Sequence, residues 1–246
     1  IDARVGQGGY MIDKRVDTVE QALEGLSDGA SIMIGGFGGS GLPVALVRAL
    51  ETTTARDLTV ILISLRFIEL YAPRMITERR IVKGICTAAR SPGKAQSEYE
   101  RQIGEGALEL ELTPQGTFAE RLRAGGAGVP AFYTPTGVGT LLAEGKESRE
   151  FDGQQCLLET GLKADFALIR ATVGDRWGNV SFRGTQRNFC LAMATAARTT
   201  VVEVETIQTT PLSPEAIDVP GIFTQRIIAL PDGRKTTGVK QGADAS

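Results

Sequence analysis

Apolar positions along the chain switch repeatedly between helical spacing and short unbroken runs, and this switching predicts the order of elements. Helical spacing covers residues 19–26, 43–50, 96–103, 117–124 and 189–197. The first of these stops at Ser27-Asp28-Gly29, and the second carries Pro43 at the first helical position, where proline is tolerated. Between them lie β-branched and aliphatic runs at 31–34, 58–63, 81–86, 108–112, 165–171, 180–182 and 199–204, with a last one inside 221–230. Runs such as 58–63, with no polar alternation, are what strands buried on both faces require. Repeated strand–helix units predict an α/β fold built on an open, mostly parallel sheet covered by helices. Asp175-Arg176-Trp177-Gly178-Asn179 reads as a tight turn between antiparallel strands, which makes the sheet mixed. Residues 1–10 read as an appended or extended start, 11–230 as one domain, and 231–246 as a polar, glycine-dotted tail.

Composition then removes whole classes of function. The 246 residues suffice for a sizeable core, but none of them is histidine. The chain therefore offers no Ser-His or Cys-His pair, no imidazole base and no His ligand, and no metal site is expected. Lys and Arg number 27 against 29 Asp and Glu, so no basic excess points to nucleic acid. Cys86, Cys156 and Cys190 are widely spaced and odd in number, as reduced structural thiols of a cytoplasmic protein would be. Every apolar run is shorter than the roughly 20 residues of a membrane span, and no signal-peptide pattern opens the chain.

The chemistry concentrates in glycine-rich stretches. Residues Ile34, Gly35, Gly36, Phe37, Gly38, Gly39, Ser40 and Gly41 join a strand to a helix, and their backbone N–H groups, with the helix N-terminus, would face an anionic group. Gly36, Gly38 and Gly41 satisfy G-x-G-x-x-G. A nicotinamide site also wants a carboxylate at the end of the second strand, but that strand ends Ile63-Ser64-Leu65-Arg66. An NADP-binding oxidoreductase, with Arg66 on a 2′-phosphate, stays open on these residues. A second stretch, Gly125-Gly126-Ala127-Gly128-Val129-Pro130 and onward to Thr140, reads as non-helical loop, with substrate contact and subunit interface as its two readings. Gln115, in Thr113-Pro114-Gln115-Gly116, falls at a strand's C-terminal end, where open α/β sheets place ligands. Glu203 and Glu205 alternate along a strand and read as a solvated face or a contact between subunits.

The stretch from Asp28 through Gly35-Gly36-Phe37 and Gly41 to Pro43 resembles the A-subunit signature of the family I coenzyme A transferases. The resemblance continues through Glu109 to Thr117, Ala119 to Pro130, Lys163 to Leu168, Gly178 to Phe182, Arg187-Asn188-Phe189 and Pro220 to Phe223. It is closest to enzymes that move CoA from succinyl-CoA to a 3-oxoacid, 3-oxoadipate or acetoacetate, and it implies the CoA-transferase fold. It also implies that CoA thioester is substrate with no permanently bound cofactor, and that the glycine loop 34–41 is CoA-associated. Gln115 would donate its backbone N–H to an oxyanion. The family's nucleophilic glutamate sits in a Ser-Glu-Asn-Gly motif on a B subunit; here no Asn follows a Glu, so the chain resembles the A subunit of an A2B2 heterotetramer. Arg66, Arg90 and Arg187 are candidates for holding acceptor carboxylates. One departure stands out: relatives carry a small-residue Ser-Asn-Asn-Ala-Gly loop after the second strand, whereas Ser64 here precedes Leu65-Arg66-Phe67-Ile68-Glu69-Leu70. That departure leaves a further alternative, a non-catalytic subunit that only binds.

Overall fold

The computed structural model describes residues 12–90 and 95–229, so the expectations for the start at 1–10 and the tail at 231–246 lie outside the described residues. Four strands begin the main sheet in chain order: β1 (Ser31–Ile34), β2 (Leu58–Leu62), β3 (Ile81–Cys86) and β4 (Glu109–Leu112). A hairpin sheet follows, made of β5 (Ala131–Thr134), β6 (Ser148–Phe151) and β7 (Gln154–Thr160). The chain then returns to the main sheet with β8 (Ala164–Asp175), β9 (Val180–Ser181), β10 (Ala197–Gln208) and β11 (Arg226–Ala229). The main sheet is eight-stranded in the order β11-β10-β8-β1-β2-β3-β4, with β9 antiparallel beside β8 and all other pairings parallel. The mixed sheet and the Asp175–Asn179 turn follow the sequence reading.

Although the central strands read as unbroken apolar runs, their side chains still alternate between two cores. Ile32, Ile34, Val60, Leu62, Leu168 and Val201 face one layer. That layer holds α1 (Val19–Ala22), α2 (Val44–Ala49), α3 (Arg66–Tyr71), α4 (Pro73–Thr77) and α5 (Glu98–Gly104). Met33, Ile61, Ala167, Ile169, Val202 and Val204 face the other, covered by α6 (Gln115–Ala127) and α7 (Cys190–Ala196).

Two expectations need correction. Gly125, Gly126 and Ala127 are helical, since α6 runs to Ala127 and ends on Gly128 in the left-handed region. Helix tolerates these glycines because side chains would not fit: a Cβ on Gly125 would lie 1.7 Å from the Leu162 carbonyl oxygen, and one on Gly126 would lie 2.1 Å from Thr195 Oγ1 of α7. Residues 131–134 are strand β5 of the antiparallel sheet β5-β7-β6, whereas 135–140 are the non-helical loop expected. The bulky segment that departs from the relatives after Ser64 forms α3. Leu65 is buried there against Gly84 of β3, where a Cβ would stand 3.0 Å from the leucine side chain.

Candidate functional site

All parallel strands of the main sheet point their C-terminal ends to one edge, and two features built from backbone amides meet there. The first is the glycine loop leaving β1. Gly35 N–H still donates to Leu168 O of β8 (2.9 Å), and Cys190 Sγ sits so close behind Gly35 that a Cβ would be 2.7 Å from it. Gly36 then turns the chain at φ 115°, a conformation side chains strongly disfavour, with its N–H on Asn188 Oδ1 (3.2 Å). Phe37 and Ser40 exchange both backbone hydrogen bonds, at 3.0 and 2.9 Å, which leaves Gly38 and Gly39 at the tip of a tight turn. Among the described residues the Gly38 and Gly39 amides have no acceptor. Gly41 closes the loop under Gln186, whose carbonyl oxygen would lie 2.6 Å from any Cβ.

The helix that follows does not offer its N-terminus to a ligand. Glu203, expected on a solvated strand face or a contact between subunits, is fully buried, and its Oε2 accepts the Ala45 and Leu46 N–H groups of the first turn of α2 at 2.8 and 3.1 Å. Its Oε1 meets Arg170 of β8 at 3.1 Å, and the same guanidinium reaches Glu205 at 3.3 Å. Burial pushes the Glu203 carboxyl up, against the pull of the amides and of Arg170. A carboxylate already occupies the place where a dinucleotide fold would hold its pyrophosphate. The G-x-G-x-x-G spacing here therefore belongs to a different kind of loop from that of an NADP-binding oxidoreductase.

The second feature is the start of α6. Thr113 N–H continues the β4 pairing to Cys86 O (2.9 Å), and Pro114, extended at ψ 140°, turns the chain into the helix with no side-chain cap. The first-turn amides of an uncapped helix lack intrahelical acceptors, and among the described residues none accepts from the N–H of Gln115 or Gly116, both exposed residues. Nothing lies within 4 Å of a Cβ placed on Gly116. The helix start is locked by Arg121, a residue sequence reasoning missed. It is buried one turn and a half along α6, and it donates to Thr160 O (2.9 Å), Glu111 (2.5 Å) and Thr113 Oγ1 (3.3 Å). Burial alone would raise the Glu111 carboxyl, yet Arg121 and Lys83 hold it below the usual carboxylate range. An arginine three residues after Phe118 in a glycine-ended helix gave no signal beyond its type.

Strands β2 and β3 separate β1 from β4, so the two features start three strand spacings apart, roughly 14 Å. Aromatic contacts bridge them. Phe189 packs 6.4 Å from Phe37 of the glycine loop and 5.4 Å, edge-on, from Phe118 of α6.

The remaining candidates divide. Gly125, Gly126 and Gly128 lie at the other end of α6 from Gln115, with Ser31, Lys163, Asp165 and Arg198 around a 440 Å³ cleft at the N-terminal ends of β1, β8 and β10. Val129 follows them, part-exposed. The substrate reading of this stretch therefore places it away from Gln115. Of the three arginines, Arg187 is ion-paired to Asp218, and Arg90 is largely exposed at 4.0 Å from Glu100. Arg66 is half-buried at the start of α3 and has no carboxylate partner among the described residues. Among the described residues there is no group of His, Cys, Asp and Glu placed to hold a metal ion, and no helix is long and apolar enough to cross a membrane. All three cysteines are free and buried.

Comparison with known proteins bears on the family. Residues 16–230 match the family described as coenzyme A transferase. The A subunit of the 3-oxoadipate CoA-transferase of Pseudomonas putida is 44% identical over 221 residues, covering 89% of this chain and 95% of that protein. The A subunit of the succinyl-CoA:3-ketoacid coenzyme A transferase of Xanthomonas campestris pv. campestris is 44% identical over 234 residues, covering 93% and 95%. The mitochondrial succinyl-CoA:3-ketoacid coenzyme A transferase 2 of Homo sapiens is 43% identical over 231 residues, and this chain spans 44% of its length. Among solved structures, glutaconate coenzyme A-transferase from Acidaminococcus fermentans superposes with a TM-score of 0.76 at 19% identity, over 89% of this chain and 76% of that one, which bears on the fold alone. By the match over residues 16–230 and the two bacterial A subunits that it covers nearly end to end, this chain belongs to the coenzyme A transferase family.

Proposed function

We propose that this chain is the A subunit of a transferase that moves CoA from succinyl-CoA to a 3-oxoacid, 3-oxoadipate or acetoacetate, together with a B subunit in an A2B2 assembly. The relatives bearing those names support the reaction, and the absence of a Glu-Asn pair from the sequence supports a nucleophile on the partner. The partner's glutamate carboxylate attacks the thioester carbonyl, and the electron pair moves onto oxygen. Collapse expels CoA thiolate and leaves an acyl-glutamyl anhydride. The thiolate then attacks the glutamyl carbon, which releases succinate and forms a glutamyl-CoA thioester. The acceptor acid runs the same steps in reverse, so the kinetics are ping-pong. No proton needs to be transferred in these steps, which is how a chain without histidine can take part.

Each addition develops an oxyanion, and the chain's contribution is the Gln115 amide at the uncapped start of α6; this free donor at the C-terminal edge carries the reading. The Gly38 and Gly39 amides of the glycine loop receive polar groups of the CoA thioester. CoA thioester acts as a substrate and no resident cofactor takes part; the buried reduced thiols suit a cytoplasmic setting. Arg66 is the cation assigned to the acceptor carboxylate, on the strength of having no carboxylate partner among the described residues.

The test is co-expression with the B subunit, followed by an assay of CoA exchange between succinyl-CoA and each 3-oxoacid. Gln115 is the first residue of α6, where proline folds well, so Gln115→Pro removes the N–H with little structural cost. Turnover should fall by about 10²–10³-fold in Gln115→Pro and stay near wild type in Gln115→Gly. Equal losses in the two variants would rule out the backbone donor, and a stable complex with no exchange for any acid would rule out the reaction.

A further inference from the structure

The residue that shapes the glycine loop is not in the loop. Asn188 lies on the segment before α7, and its side-chain amide holds both ends of the Phe37–Ser40 turn. Oδ1 accepts the Gly36 N–H at the turn's entry (3.2 Å) and the Phe189 N–H (2.7 Å). Nδ2 donates at the exit to Ser40 O (3.1 Å), and it also reaches Thr185 O (3.0 Å) and Gln186 O (3.1 Å). Two N–H donors face the oxygen and carbonyls face the nitrogen, so the reversed amide would set like against like. Such a site needs an acceptor and two donors in one planar head on a short stem, which among the side chains only asparagine supplies. The neighbouring residues serve the same end: the Phe189 ring joins Phe37 to Phe118, one turn from Gln115, and Cys190 backs Gly35.

We infer that Asn188 is a positioning residue for CoA-thioester binding, holding the loop so that the Gly38 and Gly39 amides stay presented together. The inference rests on the proposed role of that loop. Asn188 is half-buried and lies outside both hydrophobic cores, so its loss acts on the loop before it acts on the fold. With Asn188 gone, the turn keeps its internal Phe37–Ser40 pair and the Ser40 Oγ–Thr185 Oγ1 bond (2.9 Å), but nothing holds the Gly36 amide.

The experiment compares wild type, Asn188→Ala and Asn188→Asp as full chains, alone and in complex with the B subunit. It reads hydrogen exchange across residues 35–41 and kcat/KM for each substrate separately. In Asn188→Ala, exchange at Gly36 should quicken about tenfold or more, and kcat/KM for succinyl-CoA should fall by a similar factor. kcat/KM for the acid should change little, because the acid meets an enzyme already bonded to CoA. Asn188→Asp keeps the acceptor but sets a charge against three carbonyls: Gly36 should stay protected while kcat/KM for succinyl-CoA still falls. Unchanged exchange in Asn188→Ala overturns the clamp. Faster exchange with unaltered succinyl-CoA kinetics, or equal losses for both substrates with a lowered Tm, overturns the positioning role. A wild-type complex with no transferase activity removes the proposed reaction instead, and the exchange arm still decides the clamp.

Discussion

The two glycine-rich stretches of this chain look alike in sequence and do opposite things. At the tip of the first stretch, Gly38 and Gly39 let backbone amides face outward from an exposed turn, and a Cβ on Gly38 would meet nothing within 4 Å, while Gly35 and Gly41 at its ends pack against Cys190 and Gln186. In residues 125–126 the glycines remove side chains so that a helix can lie against its neighbours, with Leu162 O and Thr195 Oγ1 filling the space. The first stretch trades stability for access. The second trades helix propensity for close packing of α6 on α7 and on the entry to β8. Glycine density by itself reports neither.

The comparison can be broken at both ends. The largest effect expected is from Gly125→Ala: the new methyl collides with backbone that cannot rotate away, so the variant should fail to accumulate as folded protein, or melt far below wild type in a thermal scan. Glu203→Ala comes next. It strips the α2 amides and the buried Arg170 of their carboxylate, at a cost of about 3–5 kcal/mol in denaturant unfolding, since it leaves a charge buried without its main partner. Gly38→Ala should cost only about 1 kcal/mol, from its φ of 57°, while kcat/KM for succinyl-CoA drops more than stability does. If Gly38→Ala destabilised as much as Gly125→Ala, the contrast between the stretches would collapse. The smallest effect concerns the thiols. Burial pushes Cys86 and Cys190 up to about 12, so iodoacetamide at about pH 8 should leave both unlabelled in the folded chain and label them once it is unfolded, as peptide mapping would show.

The main sheet was legible because its central strands are largely buried, and an apolar run such as 58–62 has few other uses in a packed core. Residues 81–86 fall on β3 as expected, with Ile81 and Gly84 to Cys86 buried although Val82 is exposed. The small sheet was not legible: β6 is exposed along its whole length and β5 is half-buried, so no alternation survives. Its one local signal, Asp152-Gly153 with φ of 49° and 79° between β6 and β7, is the positive-φ pair of a two-residue hairpin. Of the site, Gln115 and the loop 34–41 could be found because glycine, proline and strand ends are local signals. Arg121, Asn188 and Glu203 could not, because their partners lie 10, 152 and 158 residues away along the chain.

The sequence by itself determined the parallel α/β sheet, the loop leaving β1, the strand end before Gln115 and, through its lack of histidine, the exclusion of any imidazole chemistry from this chain. Periodicity and residue type are local properties, and these features need nothing more. Only the tertiary structure decided which amides remain free. Glu203 takes two of those of α2 and Asn188 takes that of Gly36, while those of Gly38, Gly39 and Gln115 meet no acceptor among the described residues, because a hydrogen bond is assigned by which distant groups the fold brings within about 3 Å.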